Sequence, residues 1–317
     1  IDPTANIPES IDVLLISAAT DTVDTSTINN IRKYLGSGKK VFLAQSGVNA
    51  DIKTQQANPL FSNIFDLLKD FRLDLQKNLV LDAKCGNVQV QEQRGIFLMN
   101  RPVQYPLFPT IDTFNGSDSL SGIVVNDLEQ VLLLFPSEIK IDSIQNENVN
   151  SISTLFTSSN NSGIMESNLV LSPDPQQNPF IRMLGQPAKL LAATSRLNNG
   201  GELMLVSDSR FLTDEGGMSI PVNMIFMMNA VDYLANDADL IALRSREITS
   251  RPLDILQLSD EEEKSMSQDD KDKLKNSKKK RWKFANMVLP TLFIMGFGFY
   301  RIRREKFQAE VLKQIYD

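Results

Sequence analysis

Residues 11–44, IDVLLISAATDTVDTSTINNIRKYLGSGKKVFLA, decide the fold. Ile11 to Ile16 is a short apolar run of the kind that forms a buried strand, and Val41 to Ala44 is another. Between them, Asp24, Thr25 and Ser26 offer N-caps and Ile28, Ile31 and Leu35 share one face at helical spacing. Gly36 and Gly38 supply the stop. Strand, helix and strand in succession predict a βαβ unit and a parallel sheet.

Outward from that unit, Asn58-Pro59 is expected to open a second helix with Leu60, Ile64, Leu67 and Leu68 inward, leading to a strand at Asn78 to Asp82. From Gly86 to Pro136 the pattern alternates (Val88, Val90; Ile96, Leu98) around Pro102, Pro106 and Pro109, which reads as a β-rich insertion. Asp142 to Ser167 is rich in Asn and Ser and reads as exposed loop with one short strand at Ser153 to Thr157. Ala188 to Ser195 and Glu202 to Asp208 flank Asn198-Asn199-Gly200-Gly201, the signature of a hairpin. Pro221 starts a helix through Leu234, with Ile225, Phe226, Met228, Ala230 and Leu234 toward the core, and a strand follows at Leu240 to Leu243. The fold class is α/β, a parallel sheet with a β-rich insertion.

Near the chain's end, Phe284 to Tyr300 (FANMVLPTLFIMGFGFY) carries no charge. Basic clusters fence it, Lys278 to Lys283 before and Arg301 to Arg304 after. A helix of that length with Trp282 and Ile302 added approaches the hydrocarbon thickness of about 30 Å, so a transmembrane helix is expected over 282–303. Pro290, Gly296 and Gly298 suit a packing face toward a partner helix, with Trp282, Arg303 and Arg304 as interfacial anchors. A buried core helix is the bland alternative, and it is seldom apolar on every face. Ser259-x-x-Glu262 is a capping box, and the acidic-to-basic run after it reads as a polar helical stalk over 254–281. The α/β domain then occupies 1–253, with 86–167 as β-rich and loop insertion, and 304–317 is a short tail. The chain begins at Ile1, so it is expected to be a C-terminal portion or a processed product.

Its 317 residues have a net charge of −6, but residues 271–317 hold 13 Lys/Arg against 4 Asp/Glu and the rest hold 20 against 35. An acidic body excludes nucleic-acid binding, and the basic end belongs at a lipid surface. Histidine is absent and Cys85 is the single cysteine. Ser-His-Asp and Cys-His nucleophile systems, the usual zinc sets and an intrachain disulfide are thereby excluded. Cys85 reads as a loop or strand-end residue.

Gly36-Ser37-Gly38-Lys39-Lys40 lacks the first glycine and the Ser/Thr of a phosphate loop and lies between helix and strand in the wrong order. No GxGxxG follows the first strand. No cofactor is expected. Ser207-Asp208-Ser209-Arg210-Phe211-Leu212 sits after a strand, where ligands gather in open α/β sheets, so Ser207, Asp208 and Ser209 are ligand-site candidates. Asp214 and Glu215 could join Asp208 in a carboxylate site, although strand-end Asp and Ser commonly cap the next turn instead. The Met-rich stretch Met224, Met227, Met228 reads as flexible core filler.

In this order the elements resemble the GldG-like family, auxiliary proteins of ABC-type transport systems that include a bacterial gliding-motility system. The matching pieces are Ile11 to Ile16, Tyr34 to Val41, Asn58-Pro59-Leu60, Asn78 to Asp82, Ser207 to Leu212, Asn223 to Leu234 and the span ending in Arg301-Ile302-Arg303-Arg304. Where that family tends to show Gly-Asp-Ser-Asp-Phe, this chain has Ser207 and Arg210. The resemblance implies a flavodoxin-like or amidotransferase-like domain, related to the intraflagellar-transport type, with no established active site. It also implies a domain outside the cytoplasm, held at the bacterial inner membrane beside a permease whose ATPase is a separate chain. A plain positive-inside count puts the body in the cytoplasm instead, since eight Lys/Arg precede the span within 271–283. The expected function is a non-enzymatic, membrane-anchored auxiliary subunit. The alternatives are a membrane-tethered hydrolase using carboxylates near Asp208 and a tail-anchored cytoplasmic adaptor.

Overall fold

The computed structural model describes residues 6–236, except 18–21, 53, 95–96, 116–119, 126–127, 144–145, 175–176, 183 and 215, together with 281, 284, 288, 290, 293–304 and 306. The chain divides into two compact units, Ile1–Ile248 and Thr249–Asp317.

In the first unit the elements run β1 (Val13–Ser17), α1 (Thr25–Gly36), β2 (Lys40–Ala44), β3 (Val48–Asp51), β4 (Gln56–Pro59), α2 (Ile64–Asp70), β5 (Leu73–Leu75) and β6 (Leu79–Asp82). There follow β7 (Cys85–Arg94), β8 (Phe97–Ile111), β9 (Val131–Leu132), β10 (Ile139–Ile141), β11 (Val149–Thr157), β12 (Ser162–Met165), β13 (Leu190–Leu197), β14 (Glu202–Val206) and α3 (Pro221–Leu234). Five of these strands form the main sheet, in the order β1-β2-β14-β13-β11. β1, β2 and β14 are mutually parallel; β13 and β11 extend the sheet antiparallel. The domain is therefore mixed α/β with a partly parallel sheet and β-rich insertions.

Alternation along the central strands explains the two faces of this sheet. Val41, Leu43, Leu203 and Leu205 point toward α1 (Ile28, Ile31, Leu35) and α2 (Ile64, Leu67, Leu68). Phe42, Ala44, Met204 and Val206 point the other way, toward Phe226, Ala230 and Leu234 of α3. Phe226 anchors that second core through ring contacts with Phe156 at 5.4 Å, Phe211 at 5.6 Å and Phe42 at 6.5 Å between centroids. A third cluster joins β3, β6, β8 and β12 through Val48, Leu79, Leu81, Tyr105 and Met165.

Both the first helix and the last run as their sequences predict. Asp24 caps α1 by accepting the Ser26 N–H at 2.9 Å, and Pro221 opens α3 at a position where its missing N–H costs nothing. The hairpin of β13 and β14 follows from its turn at Asn198 to Gly201, and the long hairpin of β7 and β8 from its alternation.

Elsewhere the structure corrects the sequence reading. β1 is half-exposed rather than buried, and among the described residues it pairs with β2 alone. Asn58-Pro59 ends β4, and α2 starts five residues later, because Asn58 is engaged with Asn49 of β3. The strand at 79–82 stays out of the parallel sheet and pairs antiparallel with β12. The polar stretch 142–167 holds two strands, β11 and β12; Asn150 and Ser151 of β11 are exposed, while Leu155, Phe156 and Met165 are buried with Ser162, whose hydroxyl donates to the Pro187 carbonyl at 2.8 Å. On α3, Met228 and Met224 are 40% exposed rather than core filler, while buried Asn223 and Asn229 turn inward. Asn223 justifies its burial by clamping β9, donating to the Leu132 carbonyl at 2.6 Å and accepting the Leu132 N–H at 2.9 Å.

In the second unit Arg281, Phe284, Val288, Pro290 and residues 293–304 are helical. Phe293, Ile294, Met295, Phe297, Phe299 and Tyr300 are exposed, and the Arg303 guanidinium lies 5.6 Å from the Phe299 ring centre. Among the described residues, no helix is long and apolar enough to cross a membrane. Trp282, the stalk over 254–280, parts of Phe284 to Tyr300 and the strand expected at Leu240 to Leu243 lie outside the described residues.

Candidate functional site

Val206 of β14 lies in register with Ala44 of β2, so the segments Gln45-Ser46-Gly47 and Ser207-Asp208-Ser209 leave adjacent parallel strands at the same end. From here the chain goes on to α2 on one face and to α3 on the other. That divergence makes the β2/β14 boundary the switch point, where open α/β sheets hold ligands. All three sequence candidates are at this boundary. Ser46, Gly47 and Ser137, which sequence reasoning missed, stand beside them; the signal available was the QSG following the strand at 41–44.

Ser46, Gly47, Ser137 and Ser209 are tied into the fold by hydrogen bonds. The Ser209 hydroxyl accepts the Ser46 N–H at 2.8 Å and lies 2.8 Å from the Ser46 hydroxyl. Ser46 Oγ donates onward to the Val48 carbonyl at 2.8 Å. Ser137 Oγ accepts the Gly47 N–H at 2.8 Å and donates to the Asn78 carbonyl at 2.7 Å, and its own N–H donates to the Ser207 carbonyl at 3.0 Å. At Gly47 the backbone packs so closely that a Cβ there would stand 1.9 Å from the Gln76 carbonyl oxygen.

Asp208 is fully buried. Its Oδ2 accepts the Leu134 N–H at 2.7 Å and its Oδ1 accepts the Arg210 N–H at 2.8 Å. Burial pushes its pKa up to about 7, against the opposing pull of those two N–H groups and the Arg210 charge. The Arg210 side chain donates to the Ala50 carbonyl and lies with its guanidinium 5.4 Å from the Phe135 ring centre. Ser207 is buried as well, and among the described residues its hydroxyl finds no hydrogen-bond partner.

Chemically this arrangement is a latch. A serine nucleophile needs a base, the chain has no histidine, and the Asp208 carboxylate faces backbone amides. Asp214 is exposed, and Glu215 lies outside the described residues. Among the described residues, no group of three acidic, Cys or His side chains could hold a metal ion. Surface clefts of about 340, 420 and 470 Å³ open elsewhere, the largest beside Cys85, Arg101 and Leu184. Pro290, Gly296, Gly298, Arg303 and Arg304 belong to the second unit, where nothing stands within 4 Å of a Cβ built on either glycine.

Comparison with known proteins places the chain. No curated protein sequence matches it. Among solved structures it is similar to the mmIFT52 N-terminal domain, at 12% identity and a TM-score of 0.44, over 72% of this chain and 78% of that one. It is also similar to a putative ThuA-like protein from Bacteroides uniformis ATCC 8492, at 10% identity and a TM-score of 0.31, over 70% and 69%. The family described as ABC-type uncharacterized transport system matches residues 1–230, so the chain belongs to that family and is an auxiliary component of an ABC-type transport system.

Proposed function

We propose that this chain is a non-enzymatic auxiliary subunit, anchored in the bacterial inner membrane by a helix over 282–303 and serving a transport complex of the gliding-motility type. Its α/β body stands on the extracytoplasmic side and works by contact with a permease, whose ATPase is a separate chain. The observation that carries the non-enzymatic reading is the latch at the β2/β14 boundary. Asp208, the centre of the carboxylate site that a hydrolase would use there, is fully buried and bonded to the backbone. Support for the transport role comes from the family match over residues 1–230. Support for the anchor comes from the uncharged stretch Phe284 to Tyr300 between its basic clusters.

The test is affinity purification of the full chain from native membranes. A permease and an ATPase subunit co-purify, and Gly296→Leu with Gly298→Leu reduces that recovery by blocking close helix approach. A lone monomer from unaltered membranes overturns the reading.

A further inference from the structure

We propose that the cleft of about 420 Å³ at the amino end of the parallel strands binds a neutral saccharide. It opens where four segments meet: the last turns of α1 and α2, the loop that leads into β11, and the turn between β13 and β14. Asp208 stands at the other end of β14, so this site is separate from the latch. It goes beyond the transport role and does not depend on the anchor.

Four cross-ties close a ring around the cleft. Arg32 of α1 pairs with Asp70 of α2, Nε to Oδ2, at 2.8 Å. Asn146 Nδ2 donates to the Asp70 carbonyl at 2.7 Å, which fixes the loop to α2. Asn198 Nδ2 donates to the Glu147 carbonyl at 2.6 Å and the Asn198 N–H to the Asn148 carbonyl at 2.9 Å, which fixes the turn to the loop. Asn199 Nδ2 donates to the Gly36 carbonyl at 2.7 Å, which fixes the turn to α1. There the backbones pack so closely that a Cβ at Gly201 would stand 2.1 Å from the Leu35 carbonyl oxygen. The four side-chain ties bridge 38, 76, 51 and 163 residues of sequence, so tertiary structure sets the rim before any ligand arrives. A preformed rim spares the ligand the cost of ordering it.

The rim's chemistry suits hydroxyl groups. Arg32 and Asp70 present 40% and 50% of their side chains to solvent, and Asn148 and Asn198 are exposed. A guanidinium has several N–H groups beyond the Nε given to Asp70, a carboxylate has a second oxygen, and the Asn148 carboxamide both donates and accepts. Donors and acceptors thus stand side by side with the two charges already paired. A sugar hydroxyl, which donates and accepts at once, matches such an array. An anion would meet the Asp70 carboxylate and the negative end of the α1 dipole, and a cation would meet the Arg32 guanidinium. Leu197 and Phe71 add apolar wall for the C–H face of a sugar ring. The volume lies in the range of about 300–1,000 Å³ usual for small-molecule sites.

Ligand-observed NMR of the full chain, in lipid nanodiscs free of glycoside detergent, tests this. The neutral probes are glucose, galactose, mannose, N-acetylglucosamine and maltose, and the charged probes are glucuronate and glucosamine. At least one neutral sugar should bind with a Kd of about 1 mM or tighter, and both charged probes about tenfold more weakly. Asn148→Ala removes a carboxamide that takes no part in the four ties. It should weaken binding about tenfold with thermal unfolding unchanged. Arg32→Ala, which opens the ring, should weaken it at least as much. Loss of affinity in either variant, at unchanged unfolding, supports the site. The proposal is overturned if no neutral probe binds, if a charged probe binds as tightly as the best neutral one, or if both variants bind as the unaltered chain does. Should Arg32→Ala impair folding, Asn148→Ala alone decides.

Discussion

The Leu134 N–H donates to Asp208 Oδ2 at 2.7 Å, so a carboxylate at the carboxyl end of β14 holds the strand-like segment that leads out of β9. The same carboxylate satisfies the Arg210 N–H through its other oxygen. Asp208→Ala leaves two amide donors without their acceptor in a buried setting, an expected loss of about 2–5 kcal/mol in urea denaturation.

The pH dependence of that loss has a definite sign. With the folded pKa raised to about 7 from an ordinary 3.8, the native chain binds a proton at Asp208 that the unfolded chain releases between those values. The stabilisation from Asp208 is thus fully present below about pH 4 and falls as pH rises toward 7. Asp208→Asn, which cannot titrate, should therefore be more costly relative to the natural chain at pH 5 than at pH 8. Equal costs at both pH values would mean that the carboxylate stays ionised throughout.

Ser207 separates the latch from an active site. Its hydroxyl is buried without a partner among the described residues, so Ser207→Ala removes an unsatisfied polar group and little else. Stability should stay unchanged or rise by up to about 1 kcal/mol, with cellular function intact. Loss of function in a variant of undiminished stability would restore Ser207 as a reacting group.

How far the sequence reaches can be judged from these residues. The ends of α3 were legible because proline at its first turn and a long apolar run are local signals, but its inward face was not, since Asn223 and Asn229 are buried where Met228 was expected. The hairpin of β13 and β14 was legible because Asn198 to Gly201 marks the turn. β6 was misplaced because Leu79 to Asp82 reads the same whether its partner is a parallel neighbour or the distant β12. β12 itself was hidden by the polar residues around it. At the site, the position of Asp208 after a strand and its capping of the next turn through the Arg210 N–H were readable, but its partner Leu134 was not. The Leu134 contact spans 74 residues and depends on tertiary packing, so no local pattern announces it.

At the opposite end of the parallel strands, buried Glu202 joins three elements. It receives Arg196 at 3.0 Å and the Tyr233 hydroxyl at 2.9 Å, with Lys40 at 3.6 Å. Glu202→Ala strands two cations in a low-dielectric setting and should cost about 3–5 kcal/mol, whereas Glu202→Gln keeps a partner for Tyr233 and should cost less. Burial already lowers the Lys40 pKa, and Glu202 is the group that opposes this. In Glu202→Ala the ammonium should therefore titrate at lower pH still, which NMR of the lysine side chain can follow.

Cys85 offers a direct measurement of orientation, since it is the single thiol and opens β7 in the body. It is half-buried, and burial pushes its pKa up, so a maleimide reacts slowly and labelling belongs at mildly alkaline pH. If the body is extracytoplasmic, a membrane-impermeant maleimide should label Cys85 once the outer membrane is permeabilised, with the inner membrane still sealed. A denatured sample sets the full signal and separates slow chemistry from a closed compartment. Labelling only after the inner membrane is opened would put the body in the cytoplasm. In that case the basic cluster ahead of the proposed span would set the topology, and the proposed permease contact would have to be sought on the cytoplasmic side.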